Sequence, residues 1–303
     1  GRRTRAFIKV QEGCDYFCTF CITRIARGKS SSRPLEEILH DIRAAELAEV
    51  KEIVLTGTQL GGWGKEYDPS KTITDLVKTI FDQSSIPFLR LSSLEPWDVN
   101  SDFYSLLSHP RFCDHLHLPL QSGCESTLKR MGRKMQPAEF ARLVDSLRVV
   151  DPNIAITTDM VVGFPGESEG EFEESLEFVQ RMHFAGGHVF RYSARRGTPA
   201  ASFTNQVDGK ECKRRNRIMR EVLEESGVRY RASYLKKTVR VLWERVWKDE
   251  TGDWIMDGIS TNYMRVRAKA GQNLWNQISQ VKLVEDSGRF MEGIIEKTKD
   301  DPL

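Results

Sequence analysis

Six apolar runs recur between residues 7 and 193, and each closes on a loop of small residues. They occupy 7–10, 52–56, 88–92, 115–118, 154–162 and 188–193. Short apolar runs bounded by turn residues read as strands buried on both faces, the habit of parallel sheets. Parallel neighbours need a crossover, and the stretches at 34–50, 72–83, 100–108, 137–150 and 169–182 repeat their apolar residues at helical spacing. The expected fold class is therefore α/β. Six such units suit an open (β/α)6 partial barrel better than a closed eightfold one. Loops such as Gly57-Thr58-Gln59-Leu60-Gly61-Gly62 and Gly163-Phe164-Pro165-Gly166-Glu167 would then face one cavity at the carboxyl ends of the strands.

The pattern changes near residue 208. Residues 1–207 form the expected partial barrel, and 208–233 read as a connecting helix. Lys210, Lys213, Arg214, Arg215, Arg217 and Arg220 give that helix a basic face, and Ile218, Met219, Val222 and Leu223 an apolar one. Residues 234–297 alternate in short β-branched and aromatic segments separated by Gly-Asp and Asp-Ser-Gly turns, which argues for a small antiparallel all-β barrel. Residues 298–303 form a tail. With 45 basic against 43 acidic side chains, the chain gives no overall charge argument for nucleic acid, so local clusters must carry one. Two flank the first strand: Arg2, Arg3 and Arg5 before it, and Arg24, Arg27, Lys29 and Arg33 after it. Either is a solvated edge or a positive rim suited to phosphates. No apolar run is long enough to span a membrane and no signal-peptide pattern opens the sequence, so no membrane partner is expected. The abrupt start without methionine suggests a piece of something longer.

Chemistry concentrates in Cys14-Asp15-Tyr16-Phe17-Cys18-Thr19-Phe20-Cys21, directly after the first strand. Three thiols in so short a loop can surround one compact inorganic centre, either an iron–sulfur cluster or zinc. Structural zinc asks for a fourth ligand. The nearest candidate, His40, lies inside an expected helix. Disulfides fit worst, because three close thiols leave one unpaired and strain the others. Cysteines Cys113, Cys124 and Cys212 are scattered over other elements and read as buried thiols. Six cysteines with three in one motif suggest a reducing, cytoplasmic location.

The C-x3-C-x2-C spacing, with Phe20 before the last cysteine, resembles the radical S-adenosylmethionine (SAM) superfamily. Residues 7–33, Leu118 to Gly123, Thr158 to Glu167 and Tyr192 to Thr198 look like the methylthiotransferases of that superfamily, and the terminal segment is similar to their RNA-binding TRAM domain. Leu91 to Pro96, Gln121 to Cys124, Leu128 to Arg133 and Thr261 to Val266 look most like the bacterial branch acting on N6-threonylcarbamoyladenosine at tRNA position 37.

The resemblance implies a radical SAM partial barrel followed by a TRAM-like barrel, and a transferase that inserts a methylthio group at C2 of that adenosine near the anticodon. The same body plan would serve N6-isopentenyladenosine tRNA or a ribosomal protein aspartate instead. It implies a 4Fe–4S cluster on Cys14, Cys18 and Cys21 whose open iron binds SAM. Phe20, Val162 and Gly163 would frame the adenine of SAM, with Thr56, Gly57 and Gln59 near its methionyl end and Gln121 and Ser122 near its ribose or sulfonium. For Gln59 and Gln121 a structural hydrogen bond is the competing reading. Asp159 would bond a ligand or another loop. Implied partners are tRNA, an electron donor such as flavodoxin or ferredoxin, and a sulfur donor. A second 4Fe–4S cluster is expected only in a full-length protein, on a preceding cysteine domain that this sequence does not contain. A non-enzymatic alternative is an RNA-binding module with structural zinc in the cysteine loop.

Overall fold

The computed structural model describes residues 3–296. Arg2, Lys297 and the 298–303 tail lie outside them. All six expected parallel strands form: β1 (Arg5–Glu12), β3 (Glu52–Gly57), β4 (Phe88–Leu91), β5 (His115–His117), β6 (Ala155–Val162) and β7 (Gly186–Arg191). The two-residue β2 (Ser31–Ser32) adds an antiparallel flap to β1. It is too short to show any periodicity in the sequence.

One sheet runs β2-β1-β3-β4 and another β5-β6-β7. They meet through a parallel bridge between Ser93 and His117, closed by a Leu94 N–H to His117 carbonyl bond of 3.0 Å. The result is a six-stranded arc whose edge strands are β1, paired outwardly only with the two residues of β2, and β7. Helices α1 (Thr23–Arg27), α2 (Leu35–Leu47), α3 (Ile73–Gln83), α4 (Tyr104–Leu107), α5 (Glu125–Met131), α6 (Pro137–Val150) and α7 (Glu169–Met182) follow the strands. The main core, including Ile42, Leu55, Leu76, Phe103, Phe140 and Val179, is their shared apolar layer. It removes from water the surface that drives the fold.

Helix α8 (Gly209–Ala232) leads to β8 (Thr238–Lys248), β9 (Trp254–Ser260), β10 (Arg265–Ala270), β11 (Ile278–Asp286) and β12 (Met291–Ile295), which close as β10-β12-β11-β8-β9. The expectation of a purely antiparallel barrel needs one correction, since β10 and β12 pair in parallel. An odd number of strands cannot alternate direction all the way round a closed ring, so one like-directed pair is forced. Trp243, Met256, Val266 and Met291 fill the barrel's interior.

This barrel docks on the amino-terminal rim of the arc. Arg5 bonds Glu244 at 2.6 Å, Thr261 donates to Asp114 at 2.8 Å, and the hydroxyls of Tyr230 and Tyr234 donate to the Asn153 carbonyl at 2.9 and 2.6 Å. The cysteine loop sits on the opposite, carboxyl-terminal rim. Two of the six basic residues expected on the face of α8 are consumed internally. Arg214 pairs with Glu169 and Glu211, and Arg215 with Glu167, Glu169 and Glu211.

Candidate active site

The cysteine loop is fixed by polar contacts from distant parts of the chain. Gln11, only 1% exposed, donates from Nε2 to the Gly13 carbonyl (2.9 Å) and Ser30 Oγ (2.9 Å), and accepts the Gln59 N–H (2.7 Å). Gln59 in turn accepts the Asp15 N–H at 2.7 Å. Gly13 adopts φ 70° against the Lys29 carbonyl, where a side chain would collide with backbone. From the other side, the end of α5 clamps the loop. Thr19 N–H donates to the Met131 carbonyl (2.9 Å) and its hydroxyl to the Arg130 carbonyl (2.8 Å).

Cys14, Cys18 and Cys21 line one cavity together with Tyr16, Phe20, Thr58, Glu95, Gln121 and Arg133. Cys21 is exposed and the other two are half-buried. Burial pushes the Cys14 and Cys18 thiols up, and Arg133 opposes that at Cys18. Among the described residues no three His, Cys, Asp or Glu side chains gather on a single ion. The thiols instead border a common hollow, and three soft donors disposed in that way fit a multi-iron group.

Arg133, noted in the sequence only as the end of the family-like segment Leu128 to Arg133, is the neighbour whose place at the site was not foreseen. It is 7% exposed and spans the site. Its guanidinium grips Glu95 with bonds of 2.6 and 3.2 Å, donates to the Pro119 carbonyl at 2.7 Å, and reaches Cys18 Sγ at 3.7 Å. Trp97 lies under it at 4.5 Å. A local segment does not reveal a contact made 115 positions away.

Of the other expected site residues, Phe20 and Gln121 join the cysteines. Gln121 holds a left-handed backbone (φ 76°), and its N–H donates to the Asp159 carbonyl at 2.8 Å. Gln59 is a staple of the loop, as above. Ser122 is 1% exposed and accepts the Cys124 N–H at 3.2 Å, a turn contact. Thr56 and Gly57 end β3, where Gly57 packs against the Gln11 side chain. Val162 is buried, and Gly163 (φ 72°) abuts Cys212 and donates to Glu167 at 2.6 Å. Asp159 lies lower, lining the hollow of the arc. Cys113, Cys124 and Cys212 are buried on separate elements.

Comparison with known proteins matches residues 8–179 to the model of the radical SAM superfamily. The threonylcarbamoyladenosine tRNA methylthiotransferase of Thermotoga maritima is 37% identical over 295 residues, covering 97% of this chain and 65% of the relative. Its Bacillus subtilis counterpart is 34% identical over 305 residues, covering 99% and 67%. The tRNA-2-methylthio-N6-dimethylallyladenosine synthase of Maricaulis maris is 32% identical over 301 residues, covering 97% and 65%. The chain thus spans about two thirds of the length of these relatives. Among solved structures, Escherichia coli coproporphyrinogen III oxidase, a radical SAM enzyme, superposes with a TM-score of 0.54 at 13% identity, over 97% of this chain and 72% of that one. The radical SAM methyltransferase TsrM of Kitasatospora setae gives 0.53 at 16%, over 65% and 38%. Among the described residues no helix is long and apolar enough to cross a membrane. The fold, the cysteine loop and the relatives agree: the chain belongs to the radical SAM superfamily and, within it, to the methylthiotransferase family.

Proposed function

We propose that this chain supplies the radical-generating and RNA-binding parts of a transferase that methylthiolates C2 of N6-threonylcarbamoyladenosine at tRNA position 37. The observation that carries this reading is the match to threonylcarbamoyladenosine enzymes over nearly the whole chain, terminal barrel included, at 37% and 34% identity. The 32% match to the dimethylallyladenosine synthase supports N6-isopentenyladenosine as the second reading.

The family brings a 4Fe–4S cluster and SAM with it. On this reading Cys14, Cys18 and Cys21 hold the cluster, and when bound it supplies the electron that cleaves SAM to a deoxyadenosyl radical. Such a radical suits an unactivated aromatic C–H, which ordinary acid–base chemistry does not break. The protein's part is to place and enclose it. Phe20 and Gln121, which border the same cavity, position SAM. Arg133 orients Glu95 toward that space. Flavodoxin or ferredoxin would deliver the electron, and a second cluster or another sulfur donor the sulfur. The chain alone is expected to cleave SAM without completing sulfur insertion.

The test uses the chain after anaerobic iron–sulfide loading. Dithionite and SAM should yield 5′-deoxyadenosine, and an anticodon stem–loop should bind with an affinity that falls steeply as salt rises. Stoichiometric zinc with no deoxyadenosine would replace the reading with a structural-zinc module. Salt-insensitive binding, or none, would remove RNA. Methylthiolated RNA from this chain alone would overturn the division of labour.

A further inference from the structure

Below the cysteine loop the arc encloses a cavity of about 610 Å³. Its floor is the terminal barrel, through Asn262, Tyr263 and Met264, and Phe7 and Phe190 stand exposed on the two edge strands at its side. The wall between β5 and β6 carries a continuous polar ladder. His115 Nε2 lies 2.9 Å from Thr157 Oγ1, His117 Nδ1 lies 3.0 Å from the same oxygen, and His117 Nε2 lies 3.3 Å from Asp159 Oδ2.

The proton directions along this ladder follow from one end. A carboxylate only accepts, so in its neutral form His117 donates to it from Nε2 and accepts at Nδ1. Thr157 has one proton to give, gives it to His117, and accepts from His115 Nε2. His115, held neutral by burial, is left with an unprotonated Nδ1. That nitrogen and Asp159 Oδ1 have no partner among the described residues, and neither has Ser92 Oγ at the end of the adjoining strand β4. Buried polar atoms are ordinarily paired. Here unpaired polar atoms are packed into the wall of a cavity, and Asp159, its side chain 24% exposed, presents a carboxylate to it.

We infer that this cavity reads a polar, donor-bearing substituent on the exocyclic nitrogen of the target purine, with Asp159 accepting its N–H or O–H groups and Thr157 and His117 positioning the carboxylate. This rests on the RNA reading above and deepens it. A threonylcarbamoyl group carries urea N–H groups and a hydroxyl, whereas an isopentenyl group adds no donor. A site built to accept hydrogen bonds penalises a guest that leaves its acceptors unpaired. The carboxylate of the threonyl group is matched in charge by Arg289, which lines the same cavity.

The experiment measures equilibrium binding of this chain to three anticodon stem–loops that differ only at position 37: unmodified, N6-threonylcarbamoylated and N6-isopentenylated. The threonylcarbamoyl RNA should bind at least about tenfold tighter than the isopentenyl RNA, the scale set by unmatched hydrogen-bonding groups. Asp159→Asn and Thr157→Val should each abolish most of that preference while leaving unmodified RNA bound as before, and Thr157→Ser, which keeps the hydroxyl, should retain it. The serine variant separates loss of the hydrogen bond from loss of the fold. Equal binding of all three RNAs, or a preference that survives both disruptive variants, overturns the inference and leaves the RNA reading intact. Failure of every RNA to bind overturns both.

Discussion

Two buried arginines, each gripping a glutamate with two nitrogens, stand at opposite rims of the arc and do different work. At the amino-terminal rim Arg90 bonds Glu52 at 2.9 and 3.3 Å and spends its remaining donors on the Ser260 and Thr261 carbonyls at 3.1 and 3.0 Å. Glu52 is fully buried and Arg90 2% exposed. Charge and hydrogen bonds close on themselves there, which welds the terminal barrel to the arc. At the carboxyl-terminal rim Arg133 grips Glu95 in the same way but turns a further donor to a thiol, and Glu95 keeps 21% exposure. One device fully satisfied makes an interface, and the same device left partly open borders the cysteine cavity.

Breaking either device should expose that difference. The largest effect belongs to the cysteines: replacing any of Cys14, Cys18 or Cys21 by Ala should bring bound iron and 5′-deoxyadenosine formation to background, read by absorbance near 400 nm and by chromatography. Next comes Glu52→Gln, which leaves a buried guanidinium without its counter-charge. It should cost about 3–5 kcal/mol of stability, measured by denaturant unfolding. Arg133→Lys keeps the charge but loses the two-pronged grip. It should leave the unfolding midpoint nearly unchanged and slow deoxyadenosine formation about 10–100-fold, the usual scale for partners of metal ligands. If Arg133→Lys destabilised the chain as much as Glu52→Gln, the contrast between the rims would be lost.

The smallest effect concerns the clamp that α5 places on the cysteine loop. Bonds from Arg130 hold Glu171 at a pKa of about 2, below its ordinary 4.5. A depressed carboxylate contributes stability that is full above about pH 4.5 and lost as pH falls through 2. Glu171→Gln should therefore cost about 1 kcal/mol at neutral pH and flatten acid unfolding within that window, as an acid titration followed by circular dichroism would record.

What the sequence made legible follows from how far each determinant reaches along the chain. The inner strands β3 and β4 show as local apolar runs because both their faces are buried, while β1 and β7 leave part of theirs exposed, and the cysteine loop shows because its three thiols lie within eight residues. Helix α5 has only seven residues, too few to establish a period, so its clamp on Thr19 went unseen. Gln11 and Arg133 are single polar residues whose partners lie 48 and 115 positions away; Arg133 fell within the family-like segment Leu128 to Arg133 but without a role in the site. Gln59 and Ser122 were legible as polar groups at strand ends, yet only their partners show that they brace the backbone. The ladder behind Asp159 likewise needs β5 and β6 side by side before its direction can be read.

The central claim is that three thiols on one loop hold a cluster with an iron open to SAM. Electron paramagnetic resonance of the anaerobically loaded, dithionite-reduced chain, recorded with and without SAM, tests it most directly. A 4Fe–4S signal that changes on adding SAM, accompanied by release of 5′-deoxyadenosine, is the result expected. A signal indifferent to SAM with no nucleoside released would contradict the account.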